Sequence, residues 1–210
     1  LHLSIRRQRQ MCIRDRAADS RIGESYLYSG AGFGGENFSH DILTLSNTIS
    51  NTGTKSQLLG QVWDINEQQK EFLFRKLWNY FHGNLAGKTI AIWGAAFKQH
   101  TSSTSFSPIH PMLAALWAQG VTVRLHDPQA LEEIHTIYGE RDNLILCEDQ
   151  YDAVNQAHGL CVLTAWKQYW SLDYTQLKLK LAHPLILDGR NIYQPDYVKS
   201  QGFAYMGVGR

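Results

Sequence analysis

The residues best placed to do chemistry lie in one stretch, Gly32-Phe33-Gly34-Gly35-Glu36-Asn37-Phe38-Ser39-His40-Asp41. Three glycines in four residues permit positive φ and let the backbone approach a ligand with no Cβ between them. A glycine-rich turn that opens a helix presents free N–H groups and a partial positive charge, which suits a polar or phosphorylated ligand. Asn37 and Asp41 stand four residues apart, so a helix beginning here carries both on one face. Arg21 is the strong cation near this loop, and by itself it reads as a solvated surface arginine. Later in the chain Lys98, Asp127, Thr164 and Arg190 each follow a short apolar run. Two cations brought to one rim by separate segments suit an anion such as a diphosphate. The plainer reading is a loop-to-helix junction and four unconnected surface residues.

These residues need elements to position them. Apolar residues at Ile42, Leu43, Leu45 and Ile49 mark a helix that Asn51-Thr52-Gly53-Thr54 breaks. A second run from Leu58 through Val62, Ile65, Phe72, Leu73, Leu77, Trp78 and Phe81 predicts one long amphipathic helix. So much apolar surface requires a partner, either the neighbouring domain or a second copy of the chain. Residues 17–29 read as a short helix or turn leading to the glycine loop. Gly83 to Gly87 reads as a linker, which places a central helical region at 17–83 and a second domain at 88–210.

In that second domain, strands are predicted at Lys88–Gly94, Val121–Pro128, Leu160–Thr164 and Leu185–Arg190, with a possible edge strand at Gly202–Gly207. Helices are predicted from Ser107-Pro108 to Gly120, over Leu131–Tyr138, and from Tyr151 to Ala157 closed by Gly159. Alternation of this kind predicts an α/β fold with a doubly wound, mainly parallel sheet, whose ligands sit beyond the carboxyl ends of the strands.

Bulk properties set bounds. The 210 residues are 43% hydrophobic with a net charge of +1, which implies a sizeable core and no general affinity for nucleic acid or membrane. No apolar run approaches the ~18 residues of a membrane span. Cys12, Cys147 and Cys161 show no Cys-x-x-Cys spacing, which argues against a disulfide framework or metal site and for the reducing cytoplasm. Residues 1–16 carry five arginines and no amphipathic period, and read as non-native flanking sequence.

In order along the chain stand Arg21-Ile22-Gly23, the Gly32–Gly35 loop with Phe38 and Asp41, and Gly94 with Ala96-Phe97-Lys98 and Thr101. Ser107-Pro108, Asp127-Pro128, Thr164 with Trp166, Asp188-Gly189-Arg190-Asn191-Ile192-Tyr193 and Gly207-Val208-Gly209-Arg210 follow. As an ordered set covering residues 21–210 they resemble the nucleotide-sugar dehydrogenase family, most nearly its UDP-glucose 6-dehydrogenases. The resemblance implies a central helical region that forms a homodimer, followed by a Rossmann-like UDP-binding domain. The family's N-terminal NAD domain has no counterpart here, since no Gly-x-Gly-x-x-Gly lies between a strand and a helix. It implies UDP-sugar contacts from Gly32, Phe33, Gly34, Gly35, Phe97, Lys98 and Arg190, with Arg21 reaching the partner subunit's ligand. It further implies that Asp41 assists proton movement near the reacting carbon.

Two departures stand out. The family oxidises a primary alcohol to a carboxylate in two hydride transfers to NAD, through a cysteine thioester. Asn37 occupies that cysteine's position, and a carboxamide has no thiolate-like form with which to attack. Ser105 stands where the family carries an arginine that helps hold NAD, and Ser102 and Ser103 stand where acidic residues are usual. Three functions remain in competition: a dehydrogenase unable to complete the second oxidation, an inactive UDP-sugar-binding partner, and an unrelated flavodoxin-like module.

Overall fold

The computed structural model describes residues 15–23, 27–53 and 57–209. Most of the arginine-rich start, Cys12, Thr54 and the terminal Arg210 lie outside the described residues. Residues 15–18 make one helical turn that runs into turns through residue 22. Helix α1 (Glu36–Asn51) begins directly after the glycine loop, with Gly35 at φ 87° as its cap residue. Its apolar residues are largely unburied, and only Ser39 is fully covered.

The single long helix expected over 58–81 is two, α2 (Gln57–Lys70) and α3 (Phe72–Tyr80), separated at Glu71. Arg75 explains the break. Its guanidinium donates to the Gln68 carbonyl at 2.8 Å, taking the acceptor that a continuous helix would offer to the Phe72 N–H. Leu73 and Leu77 on α3 are fully buried and join the same apolar cluster as the strands. That docking needs Gly189, because a Cβ there would lie 2.6 Å from Leu73 Cδ1.

Six strands follow: β1 (Thr89–Trp93), β2 (Thr122–His126), β3 (Leu144–Leu146), β4 (Leu160–Val162), β5 (Leu185–Asp188) and β6 (Ala204–Gly207). All pair parallel in the order β3-β2-β1-β4-β5-β6. This is the doubly wound arrangement predicted, with the switch point between β1 and β4. The central strands β1, β4 and β5 are buried on both faces, which is why they read as continuous apolar runs.

Helix α4 (Ile109–Ala118) starts one residue later than expected, with Pro108 rather than Ser107 as its cap residue; Ser107 Oγ accepts from the Ile109 N–H at 3.3 Å and donates to the Ala95 carbonyl at 2.7 Å. Helix α5 (Leu131–Tyr138) also stands where predicted. Helix α6 (Gln150–Ala153) stops short of the expected Ala157, and the chain turns at Gln156, φ 58°, whose N–H donates to the Lys180 carbonyl. Gly159 serves a different need, since a Cβ there would sit 3.2 Å from Leu185 Cδ2. Helices α7 (Tyr174–Lys180) and α8 (Pro195–Ser200) were not anticipated. No helix among the described residues is long and apolar enough to cross a membrane.

Candidate functional site

A cavity of about 970 Å³ opens between the glycine loop, the start of α1, one face of α2 and the loops after β1 and β5. The glycine loop takes its shape from its neighbours. The Phe33 N–H donates to Asn66 Oδ1 at 2.7 Å, and Asn66 Nδ2 donates back to the Phe33 carbonyl at 3.1 Å. Gln69 Nε2 donates to the Gly30 carbonyl at 2.9 Å. On the other side the Gly35 N–H donates to the Ser105 carbonyl at 2.8 Å. The expectation that this loop offers its N–H groups to a ligand is therefore corrected at two of its residues. The glycines serve close approach instead: a Cβ on Gly34 would lie 2.7 Å from the Phe106 carbonyl oxygen, and one on Gly35 2.6 Å from the Phe97 ring.

Of the residues singled out in the sequence, Gly32, Phe33, Gly34, Gly35, Asn37, Phe97, Lys98 and Arg190 all line this one cavity. The guanidinium of Arg190 lies against the backbone at Gly30, where a Cβ would be 2.7 Å from Nη1. Burial pushes its pKa down, opposed by the nearby charge of Asp188. Asp188 is itself fully buried at the end of β5 and shapes the Arg190 loop. It accepts from the Arg190 N–H and the Tyr193 N–H, each at 3.0 Å, and from the Tyr205 hydroxyl at 2.9 Å. Desolvation raises its pKa, and those hydrogen bonds oppose the shift. Lys98 Nζ lies 5.4 Å from the centroid of the Phe97 ring.

Other predicted residues lie elsewhere. Asp41 is exposed, one turn along α1 from Asn37, and does not line the cavity. Arg21 is ion-paired with Asp19 at 2.7 Å on the exterior, its side chain 87% exposed. Ser105 is outside the lining and donates its hydroxyl to Glu36 Oε1 at 3.2 Å.

The rim reading of Asp127 and Thr164 is corrected. Asp127 is buried and accepts from the backbone N–H groups of Ala95, Ala96, Gln129 and Ala130 and from Trp166 Nε1. Thr164 donates its hydroxyl to the Ala96 carbonyl at 2.6 Å. Both knot the loops at the strand ends, and neither faces the cavity.

Asn66, Gln69, Glu36 and Ser103 were missed as lining residues. The spacing of Val62, Ile65, Asn66 and Gln69 on one helical face was the available signal. Neither described cysteine lines the cavity. Burial raises the thiol of Cys147, and Cys161 is fully buried and pushed up to about 12.

This geometry joins a helical clamp on a glycine loop to a parallel sheet that delivers two cations. Two family models match the chain, one over each part. The family model for the central domain of the UDP-glucose/GDP-mannose dehydrogenase family matches residues 10–68, and that for its UDP binding domain matches residues 91–195.

The chain belongs to the UDP-glucose/GDP-mannose dehydrogenase family.

The UDP-glucose 6-dehydrogenase of Pseudomonas aeruginosa is 38% identical over 200 residues, which is 94% of this chain and 44% of that protein. That of Rhizobium meliloti is 33% identical over 91% of this chain and 43% of its own length. The solved structure of a UDP-glucose dehydrogenase from Pyrobaculum islandicum superimposes with a TM-score of 0.77 at 30% identity, over 94% of this chain and 43% of that one. The chain thus spans less than half the length of the curated relatives it matches. The family is NAD-dependent, and this chain covers its central and UDP-binding domains. Within that division the central domain supplies the glycine loop and Asn66, and the UDP-binding domain supplies Phe97, Lys98 and Arg190.

Proposed function

We propose that this chain is the UDP-sugar-binding and dimer-forming part of a UDP-glucose 6-dehydrogenase-like protein. The observation that carries this reading is the convergence of Lys98 and Arg190, from loops after two different strands, on the cavity walled by the Phe33 turn. Two cations at a cavity mouth suit a diphosphate, with Arg190 offering a planar fork and Lys98 a point charge. The cavity volume of about 970 Å³ accommodates a nucleotide sugar. The exposed apolar faces of α1 and α2 support a homodimer through the central helices, in which Arg21 reaches the partner's ligand. Unpaired Cys147 and Cys161 fit a reducing cytoplasm.

On this reading Asn37 stands at the position of the family's nucleophilic cysteine, so the thioester step has no nucleophile and the second oxidation fails. The residues toward the dinucleotide do not fit it either. Ser105, at the position of the family's cofactor arginine, donates to the Glu36 carboxylate, so this edge offers an anion rather than a cation to a phosphate. These two features favour a second reading, an inactive UDP-sugar-binding partner.

Isothermal titration of the chain with UDP-glucose tests the binding common to both. Arg190→Ala and Lys98→Ala should each weaken binding about tenfold or more, the scale of a charge-assisted contact of about 1.5–3 kcal/mol. Unchanged affinity in both variants would refute the proposed pocket.

A further inference from the structure

Three charged side chains line the cavity among the described residues: Arg190, Lys98 and Glu36. The glycine loop separates the first from the last. Arg190 lies against Gly30 at one end, and Glu36 follows Gly35 at the other. Ser105 holds Glu36 directly and also holds its neighbour Gly35. The Ser105 carbonyl takes the Gly35 N–H at 2.8 Å, and its hydroxyl donates to Glu36 Oε1 at 3.2 Å. No ion pair of Glu36 occurs among the described residues, so its charge is not cancelled by a lysine or arginine. Glu36 also sits in the first turn of a 16-residue helix, where its carboxylate offsets the positive end of the helix dipole. The feature that would otherwise draw an anion to this wall is thereby neutralised. Its neighbour Asn37 adds only an uncharged amide.

We propose that Glu36 is a specificity-determining residue, which makes the site accept a nucleotide sugar carrying a neutral primary alcohol and reject the corresponding uronate. The proposal rests on the UDP-sugar reading, in which the diphosphate lies with Lys98 and Arg190 and the sugar's C6 lies beside Asn37. A C6 hydroxyl there can donate a hydrogen bond to the Glu36 carboxylate. A C6 carboxylate has no proton to donate and meets a like charge. Two like charges about 4 Å apart, the separation that such a hydrogen bond implies, disfavour each other at a partly solvated wall by about tenfold in affinity.

Titration calorimetry with UDP, UDP-glucose and UDP-glucuronate, each sugar nucleotide read relative to UDP in the same variant, tests this. The chain should bind UDP-glucose about tenfold more tightly than UDP-glucuronate, and the ratio should shrink as salt screens the repulsion. Glu36→Gln keeps the side-chain volume and an acceptor for Ser105 but removes the charge, and should bring the two sugars within about twofold. Ser105→Ala releases the carboxylate towards solvent and should give an intermediate ratio. Equal binding of both sugars by the unmodified chain, or a ratio that survives in Glu36→Gln, overturns the proposal while leaving the UDP-sugar reading standing. Failure of UDP and UDP-glucose alike to bind overturns both.

Discussion

Arg190 owes its place in the cavity to a residue that has no side chain. A Cβ on Gly30 would come within 2.7 Å of Nη1 and 3.4 Å of Cζ. Gly30 has no positive φ, so alanine brings no backbone strain there, and the atoms it meets are the far end of a flexible side chain. Gly30→Ala should therefore leave the fold intact and move the guanidinium. The expected result is a loss of about tenfold in UDP-glucose affinity by calorimetry, with a thermal midpoint within a few degrees of the unmodified chain. Retained affinity would show that Arg190 does not hold the ligand from its present position. At this scale the sequence was informative wherever a polar residue followed an apolar run into the cavity, as Lys98 and Arg190 do. The same pattern misled at Asp127 and Thr164, because a strand end also needs side chains to tie its loops together. Five donors converge on Asp127, and none of them can be read from its neighbours in the chain.

Among the elements, α2 decides the shape of the glycine loop that lines the cavity. Asn66 pairs with both backbone groups of Phe33 as a neighbouring strand would, and Gln69 anchors Gly30 one turn later. Lys70, only 3% exposed, holds the same face with its ammonium on Glu67 at 2.6 Å and within 6 Å of the Trp63 and Phe106 rings. Asn66→Ala would leave the half-buried N–H and C=O of Phe33 without partners, at a cost of about 1–3 kcal/mol. Denaturant unfolding should report a loss of that size, and UDP-glucose affinity should fall with it because the Phe33 turn is no longer held. A stability loss with full affinity would assign Asn66 to the fold alone. The sequence signal for Asn66 was the helical face it shares with Val62, Ile65 and Gln69, and what the amide holds on that face is set by the tertiary approach of the loop. The elements themselves were legible in proportion to their burial. Continuous apolar runs announced β1, β4 and β5, whereas the three-residue β3 has an exposed centre and was missed. Helices α7 and α8 did carry signals, an Asp173 cap that accepts from the Gln176 N–H and a proline at the start of α8. The split of α2 from α3 had none, since it depends on where the Arg75 guanidinium goes.

At the scale of the whole molecule, the described residues leave apolar side chains of α1 and α2 uncovered. Leu45 on α1 and Leu58, Val62 and Ile65 on α2 are between 38% and 75% exposed, and the two helices pack against each other. Val62 and Ile65 also wall the cavity, so a partner seated on this face would meet the site. A second copy related by a two-fold axis would bury the same face on each subunit. It would also account for Arg21, which stands outside its own cavity and is ion-paired with Asp19 among the described residues. Sedimentation should show a dimer, and mixing two defective variants tells whether Arg21 acts across it. Arg21→Ala and Arg190→Ala should each bind UDP-glucose weakly alone. In a mixed dimer the Arg190→Ala subunit still lends its Arg21 to the partner, whose Arg190 is intact, so one complete site forms. Random mixing makes about half of all dimers mixed, which restores tight binding at about one site per four chains. If Arg21 served its own cavity, every site in the mixture would lack one arginine and no tight binding would return.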